Sequence, residues 1–402
     1  MIPHGSDSQP RLGLTFFIVL LDIISFSLLL PVLPYYAGSL GATPTQVGLL
    51  TGLYALCQFI GAPIIGRLSD TIGRKPLFLL DIAGNAIGFV ILASASSLWM
   101  LFVARIIAGC VAANIPLAQA YISDVTTPEK RSEALGIIGA AFGLGFTIGP
   151  AVGGILSQKG YALPALVSAG LCVVNFIVIA LFLPESRKKI QAQVVPDNPT
   201  LLVDFALLKR LLGSPQIASL LIFWAGFSIA FAMFQQNIAL FNKYRLNLTA
   251  RETGYIFAWI GILVSLMQGV LLRILTRYFS DEQLLKISAP IMLCSLVAWA
   301  FTPSVLVLAI ILVPLCFAAS TLITVVNSLL TKSVTPDDVG GTMGIAGAVD
   351  NSTRFITAFA GGLLIQRVGT FAPGACAAGV MLFVLLWMTS KYAMFTASPS
   401  QK

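Results

Sequence analysis

Long apolar stretches alternate with short polar loops along the whole chain. A membrane-spanning helix needs about 20 mostly apolar residues, and Gly, Pro and charged residues mark the breaks between successive stretches. We predict twelve helices, numbered 1 to 12, at residues 12–36, 46–67, 76–96, 98–123, 133–157, 162–183, 216–242, 252–275, 283–302, 305–332, 338–366 and 370–391. The predicted fold class is an all-α membrane protein whose twelve transmembrane helices form two pseudo-symmetric six-helix bundles.

A single long polar stretch separates helix 6 from helix 7 and divides the chain into two halves. We expect no cleaved leader, because Arg11 leads directly into a span too long for the apolar region of a signal peptide. The predicted domains are an N-terminal tail at 1–11, a first bundle at 12–183, a linker at 184–215 with a short interfacial helix near 201–212, a second bundle at 216–391, and a C-terminal tail at 392–402.

The two halves are related by an internal repeat. Residues 127–137 align with 335–345 at an offset of 208, and residues 68–75 align with 275–282 at an offset of 207. In the second pair the charges are inverted, with Arg74 opposite Asp281 and Lys75 opposite Glu282. Parallel repeats of six helices are typical of transporters with a central site at the repeat interface.

Composition supports a bilayer environment. Hydrophobic residues make up 57% of the chain and charged residues 10%, with a mean hydropathy of +0.92, whereas soluble domains have about 25% charged residues. The net charge of +8 is unevenly placed: with both termini inside, 17 Lys and Arg residues lie on the inner side, five outside and two within spans. We therefore interpret the basic excess as cytoplasmic loops that set orientation, not as a nucleic-acid surface.

The loop between helices 2 and 3 reads Gly66-Arg-Leu-Ser-Asp70-Thr-Ile-Gly73-Arg74-Lys75. Gly66 permits close helix approach, Gly73 permits a tight turn, and Asp70 can accept hydrogen bonds from a helix N-terminus. Arg74 can pair with a carboxylate, and Asp124 at the inner end of helix 4 is the candidate partner. The loop resembles the loop motif of the major facilitator superfamily. Its Gly66, Asp70, Gly73 and Arg74, together with Asp124, are here named the latch cluster. The alternative is a basic loop that only holds orientation.

Helix 5 contains a run of small residues around a proline, Gly143-Leu-Gly145-Phe-Thr-Ile-Gly149-Pro150-Ala-Val-Gly153-Gly154. Small residues let helices pack backbone to backbone, and a proline inside a helix removes a hydrogen bond. The run resembles the antiporter motif of the same superfamily. The corresponding segment of helix 11 has Thr357 and Ala358 in place of Gly149 and Pro150, so we expect this element in one half only. A generic packing face is the alternative.

A handful of charged residues remain in the spans, chiefly four, with Asp81 nearer the end of its span. Such residues are functional candidates because burying charge in a bilayer is costly. Asp22 in helix 1 could bind a proton or a cationic substrate, or be structural. Arg105 in helix 4 could hold Asp22 ionised, or form a structural salt bridge. Asp350 and Arg354 in helix 11 are spaced i, i+4 on one face, as an intrahelical pair or as a second coupling site.

Other polar and aromatic residues in the spans could line a substrate cavity or only bridge helices. The candidates are Asn114, Gln119, Phe231, Gln235, Gln236 and Gln268. The single histidine, His4, lies in the N-terminal tail, so a proton relay in the membrane would depend on carboxylates. The sequence contains no nucleotide-binding loop, metal-ligand spacing or nucleophile arrangement. We predict a protein that is not an enzyme, holds no cofactor, and draws energy from a proton gradient.

The first half, over residues 15–185, resembles the twelve-helix drug:proton antiporters and especially the tetracycline-resistance proteins. The second half resembles the eukaryotic tetracycline-transporter-like solute carriers of the organic cation group, on residues 279–285, 328–334, 341–343 and Arg354. Tetracycline pumps have a functional aspartate in helix 3 and a histidine in helix 8, where this chain has Gly88 and Val264. The resemblance therefore indicates the branch and not the substrate.

The resemblance implies alternating access and proton-coupled efflux of a small lipophilic or cationic organic solute or drug. Alternatives are a proton-independent uniporter or a symporter of an organic metabolite, and a membrane receptor or scaffold that has kept the fold. We expect a monomer in the bilayer with cytoplasmic termini, in a plasma membrane or bacterial inner membrane, with an organelle membrane as the other option. The partners we expect are the solute, protons and lipid.

Overall fold

The computed structural model describes residues 8–186, 205–335 and 338–390, and these residues contain helices and turns but no strand. Helices 1 to 6 and the linker helix run at Ser8–Ser27 with Leu33–Ser39, Pro44–Ile72, Arg74–Ala93, Leu98–Val111 with Asn114–Val125, Pro128–Leu156, Ala162–Phe182 and Phe205–Leu212. Helices 7 to 12 run at Pro215–Arg245, Ala250–Leu266 with Met267–Leu271 and Leu272–Tyr278, Asp281–Ala300, Val305–Lys332, Val339–Arg367 and Ala372–Ser390. The predicted C-terminal tail and most of the predicted N-terminal tail and linker lie outside the described residues.

The predicted twelve-helix membrane architecture is confirmed. Nine spans formed by the described helices are long and apolar enough to cross a membrane. Helix 1 and helix 12 contribute shorter apolar segments at Leu12–Ser27 and Ala372–Met388. Helix 11 is long enough to span, at Val339–Arg367. Its small and charged residues lower its mean hydropathy.

Three spans predicted as continuous helices are interrupted. Helix 1 changes to turns at residues 28–32, around Pro31, and helix 4 breaks at Ala112 and Ala113. Pro116 lies in the first turn that follows this second break, where its missing N–H costs little. Helix 8 contains a π turn at Met267–Leu271. Hydropathy alone predicts none of these interruptions, because each lies inside a stretch that is apolar on average.

The described residues form two compact units. Unit 1 comprises 8–42, 53–186 and 248–262, and unit 2 comprises 43–52, 205–247 and 263–390 without 336–337. In unit 1, helix 1 packs on helices 5 and 6, and helix 3 packs on helices 4 and 6. In unit 2, helix 7 packs on helices 11 and 12, and helix 9 packs on helices 10 and 12.

Each unit also contains the beginning of one helix from the other half of the sequence. In unit 2 the start of helix 2 packs on helix 11, where a Cβ on Gly48 would collide with the carbonyl of Ala358. In unit 1 the start of helix 8 packs on helix 5, where a Cβ on Gly254 would lie 2.5 Å from the carbonyl oxygen of Pro150. Close backbone packing is therefore not confined to the half that contains Pro150.

Candidate functional site

Two carboxyl groups occupy the interior of unit 1. Asp22 is half-buried on helix 1, and its neighbours in sequence, Leu21 and Ile23, are buried. The side-chain amide of Asn114, the first residue after the break in helix 4, lies beside the Asp22 carboxyl group. Asn114 is 7% exposed, and neither of its side-chain polar atoms has a hydrogen-bond partner of ordinary geometry in the described chain. The amide is thus available to a ligand or a water molecule at Asp22.

The second carboxyl group belongs to Asp81 on helix 3, which the sequence analysis did not place in the site. Asp81 is completely buried, and its Oδ1 accepts a 2.8 Å hydrogen bond from Nδ2 of Asn85. The backbone N–H of Ala113, at the break in helix 4, lies beside the carboxyl group. Asp22 lies within electrostatic range of Asp81. The sequence signal that could have found Asp81 is an acid and an amide spaced i, i+4 inside a span.

Arg105 does not neutralise either carboxyl group. Its guanidinium lies over the ring of Tyr54, 5.6 Å from the centroid, and Tyr54 in turn stacks on Phe26 at 5.4 Å. Arg105 is 5% exposed, and its Nε has no hydrogen-bond partner in the described chain. The described residues thus contain no direct ion pair between Arg105 and Asp22, and the role of Arg105 in holding Asp22 ionised stays a prediction.

Asp350 and Arg354 form an intrahelical pair on helix 11 in unit 2. Nε of Arg354 lies 2.9 Å from Oδ2 of Asp350, and the side chains are 36% and 31% exposed. Of the two interpretations of the i, i+4 spacing, this geometry matches the intrahelical pair. Helix 11 is also fixed to helix 7, because Nε1 of Trp224 donates to the carbonyl oxygen of Ala346 at 3.0 Å.

The structure divides the predicted cavity residues between the units. In unit 1, Asn114 is buried beside Asp22 and Gln119 is exposed. In unit 2, Gln235 and Gln236 are half-buried, Gln268 is exposed on the π turn, and Phe231 stacks on Phe227 at 5.9 Å. The neighbouring amide of Asn237 is fully buried and donates to the carbonyl oxygen of Thr357 at 3.0 Å, so it joins helices 7 and 11.

Four members of the latch cluster meet at one end of unit 1. The buried guanidinium of Arg74 lies 3.1 Å from Asp124 and 2.8 Å from Asp70, so the predicted contact with Asp124 is present. Gly73 turns the chain with a φ of +117°. At Gly66 a Cβ would have no atom of the described chain within 4 Å. The close helix approach expected at Gly66 is therefore not found.

Glu185 is the latch residue that the sequence analysis missed. Its two carboxylate oxygens accept hydrogen bonds from the backbone N–H groups of Arg74 and Lys75, at 2.9 and 3.1 Å. These N–H groups open helix 3 and lack an intrahelical acceptor. Nζ of Lys75 donates to the carbonyl oxygen of Ala180 at 2.8 Å, which also joins helix 3 to helix 6. The exit of helix 6 is thereby fixed to the start of helix 3.

The glycine motif of helix 5 lies against helix 1. A Cβ on Gly145 would lie 2.5 Å from Ile23, and Cβ atoms on Gly149 and Gly153 would overlap Ser27 and Leu28. Ser27 donates from its hydroxyl to the carbonyl oxygen of Gly145 at 3.0 Å. On another side of helix 5, a Cβ on Gly154 would lie 3.0 Å from the carbonyl oxygen of Ala250 in helix 8. The motif thus brings backbones together on two faces around Pro150.

Comparison with known proteins gives consistent matches. The family model described as Major Facilitator Superfamily matches residues 15–318. Solute carrier family 22 member 18 of Mus musculus is 28% identical over 393 residues, which are 95% of this chain and 97% of that relative. The class H tetracycline resistance protein of Pasteurella multocida is 29% identical over 399 residues, 95% of this chain and 96% of the relative.

A solved structure shows the same fold. The crystal structure of the human organic anion transporter MFSD10 (TETRAN) matches with a TM-score of 0.70, covers 96% of this chain and 100% of that chain, and is 22% identical in sequence. At this identity the match establishes the arrangement of helices and leaves the substrate open.

Proposed function

Because the chain belongs to the Major Facilitator Superfamily, whose members are transporters and not enzymes, we propose that it is a proton-coupled antiporter. It would export a small lipophilic or cationic organic solute by alternating access, with the proton gradient as its energy source and no cofactor. The tetracycline resistance relatives support efflux as the direction of transport. The substrate class follows from the charge of the site in unit 1.

The observation that supports this proposal most strongly is the environment of Asp22. A carboxyl group in a membrane span is costly unless it is neutral, hydrated or paired. Asp22 is half-buried, lies beside an amide that has no other partner, and forms no ion pair within the described chain. A proton can neutralise this group in one half of the cycle, and the positive charge of a substrate can do so in the other half.

In this mechanism Asp22 never holds a proton and a cationic substrate at once. When a cation binds, the carboxyl group releases its proton to water, and when the cation leaves on the other side a proton replaces it. Each exchange conserves the charge of the site. The protein therefore does not have to change between its inward- and outward-open states with an empty, ionised carboxylate in the membrane interior. This alternation is what couples the two fluxes.

The test is flux in proteoliposomes under an imposed pH gradient, with tetraphenylphosphonium as a lipophilic cation probe. We expect Asp22→Asn to lower the gradient-driven flux by at least about tenfold, because the amide cannot exchange a proton, and Asp22→Glu to retain part of it. Glu282→Gln, which removes a carboxylate at the start of helix 9, is the matched control. A flux that does not depend on the pH gradient and is unchanged in Asp22→Asn would contradict the proposed antiport.

Other outcomes of the same experiment identify the competing functions. Saturable counterflow without proton movement would indicate a uniporter or symporter of an organic metabolite. Stabilisation of the protein by a solute without any measurable flux would indicate a receptor or scaffold. We further propose cytoplasmic termini, in agreement with the distribution of Lys and Arg over the predicted loops, and a plasma membrane, a bacterial inner membrane or an organelle membrane as the location.

A further inference from the structure

Asp81 is a buried carboxyl group to which the proposed mechanism, with Asp22 as its one coupling residue, gives no role. It is fully buried on helix 3, whereas Asp22 is half-buried on helix 1. One of its oxygens, Oδ1, is held by the amide of Asn85, and the other, Oδ2, has no side-chain partner of ordinary geometry in the described chain. A purely structural carboxylate at this depth would be expected to use both oxygens.

The break in helix 4 supplies the polar groups around the pair. At residues 112–113 the helix is interrupted, and the second segment begins at Asn114. The backbone N–H of Ala113 points to Asp81, and the side chain of Asn114 lies beside Asp22. Asn114 is more than nine-tenths buried, and its amide has no hydrogen-bond partner of ordinary geometry in the described chain. One backbone interruption thus serves both carboxyl groups.

Among the described residues, no cationic side chain forms an ion pair with either acid. The titratable groups that surround them are Tyr54 from helix 2 and Cys172 from helix 6, both of which are neutral when protonated. The guanidinium of Arg105 on helix 4 lies over the ring of Tyr54 and forms no ion pair with either acid in the described chain. Two carboxylates without a counter-ion cannot both remain ionised in such a place. The pair therefore needs positive charge from outside the protein.

We propose that Asp22 and Asp81 form one coupling site that accepts two positive charges, with Asp81 as its second proton-binding group. This inference rests on the proposed antiport and names its substrate class, organic cations of charge one or two. In the return step both carboxyl groups hold a proton. A monovalent cation replaces the proton of Asp22 only, and a divalent cation replaces both protons, so that each positive charge carried is exchanged for one proton.

The protonation of Asp81 can be measured without any substrate. Protonated carboxyl groups give a carbonyl stretching band in infrared spectra, separate from that of carboxylates. We expect this band, in purified protein reconstituted in lipid at neutral pH, to lose intensity in Asp81→Asn, in Asp22→Asn, and further in the double variant. Glu282→Gln should leave it unchanged. An unchanged band in Asp81→Asn would show that Asp81 is ionised and would overturn the proposal.

Transport then tests the charge capacity. With tetraphenylphosphonium as the monovalent probe and dequalinium as the divalent one, the pH gradient that just stops net flux against a known cation gradient gives the number of protons exchanged per cation, because an electroneutral exchange does not respond to voltage. We expect one and two, respectively, for the native chain. Asp81→Asn should retain monovalent flux and lose divalent flux at least about tenfold. Glu282→Gln, which removes a carboxylate outside the site, should retain both fluxes, and retained monovalent flux in Asp81→Asn separates loss of one charge from structural damage.

The two proposals fail in different ways. If neither probe moves with the pH gradient in the native chain while the infrared band depends on both acids, antiport of these cations is wrong and the paired protonation stands. If the native chain exchanges protons for both cations and Asp81→Asn leaves the divalent flux and its proton count unchanged, antiport stands and the role of Asp81 is wrong.

Discussion

A single methyl group decides whether helix 5 can pack against helix 1. At Gly153 a Cβ would overlap the carbonyl group of Leu28, and this contact involves backbone atoms that cannot rotate away. At Gly139, earlier on the same helix, a Cβ would have no atom within 4 Å in the described chain. The same substitution should therefore have opposite effects at two positions of one helix.

We predict that Gly153→Ala lowers the free energy of unfolding by about 1–3 kcal/mol, since overpacking forces backbone shifts of that cost. Gly139→Ala should be neutral or stabilising by up to about 1 kcal/mol, because alanine favours the helix. Thermal unfolding of the purified variants measures both. A Gly153→Ala protein as stable as Gly139→Ala would contradict the close packing of helices 1 and 5.

Asp22 and Asp81 show which site residues can be predicted from the sequence and which cannot. Hydropathy identified Asp22, because a charge in the middle of an apolar stretch is conspicuous. It gave Asp81 a lesser place, because position along helix 3 does not reveal depth inside a bundle. Only the structure identifies Asp81 as a site residue, because the break in helix 4 places the N–H of Ala113 beside its carboxyl group. That contact links helices whose spacing the sequence does not specify.

At the scale of elements, the start of helix 3 depends on a carboxylate from another helix. Gly73 precedes the helix and supplies no side chain, so the N–H groups of Arg74 and Lys75 are satisfied by Glu185 after helix 6. A negative charge is favoured at this end of a helix. Sequence rules for helix capping do not predict this cap, because they consider only acceptor side chains in the residues just before the helix.

We predict that Glu185→Ala lowers the free energy of unfolding by about 1–2 kcal/mol, the usual cost of losing an N-terminal cap. Ser186→Ala, which removes only the 3.0 Å contact with Asp124, should cost less than about 1 kcal/mol. Chemical unfolding in detergent micelles compares the two. Equal stability of both variants would show that Glu185 does not hold the start of helix 3.

The charge inversion in the repeat has a structural counterpart. In unit 1 the pair is Arg74 with Asp124, and in unit 2 Asp281 lies 2.7 Å from Lys332. Both members of the second pair lie where the repeat places the members of the first, with the signs exchanged. The first pair is better protected from solvent, at 10% and 28% exposure, than the second, in which Lys332 is 68% exposed.

Double-mutant cycles should therefore give unequal coupling energies. Exposed pairs are worth about 0.2–1 kcal/mol, and we expect the cycle of Asp281→Asn with Lys332→Met to fall in this range. The cycle of Arg74→Gln with Asp124→Asn should give a larger value, about 1–3 kcal/mol. Equal couplings would mean that the burial of Arg74 adds nothing to its pair with Asp124.

At the scale of the whole molecule, the compact units do not coincide with the two halves of the sequence. The start of helix 2 belongs to unit 2, where the backbone N–H of Thr45 donates to the side chain of Gln366 at 3.3 Å. The start of helix 8 belongs to unit 1, where the hydroxyl groups of Tyr35 and Thr253 are 2.7 Å apart. If transport proceeds by alternating access, such contacts must open in each cycle.

Cross-linking tests this requirement. In a background without the native cysteines, we expect Thr45→Cys with Gln366→Cys, joined by a short bifunctional thiol reagent, to stop transport, and a reducing agent that cleaves the reagent to restore it. Each single cysteine variant treated in the same way is the control. Undiminished flux in the cross-linked protein would show that the start of helix 2 stays on helix 11 throughout the cycle.

The sequence by itself determined that this protein lies in a lipid bilayer, how many spans it has, its internal repeat and the charged residues within its spans. These follow from composition and from the order of apolar and polar residues, which a bilayer constrains strongly because every backbone polar group must be satisfied inside a span. Only the tertiary structure showed that the guanidinium of Arg105 lies over the ring of Tyr54 and forms no ion pair with Asp22 in the described chain. It also showed that Glu185 caps helix 3 and that Asp81 lies near Asp22 beside the break in helix 4. These contacts depend on helix rotation and depth, which are set by side-chain packing between residues far apart in the chain.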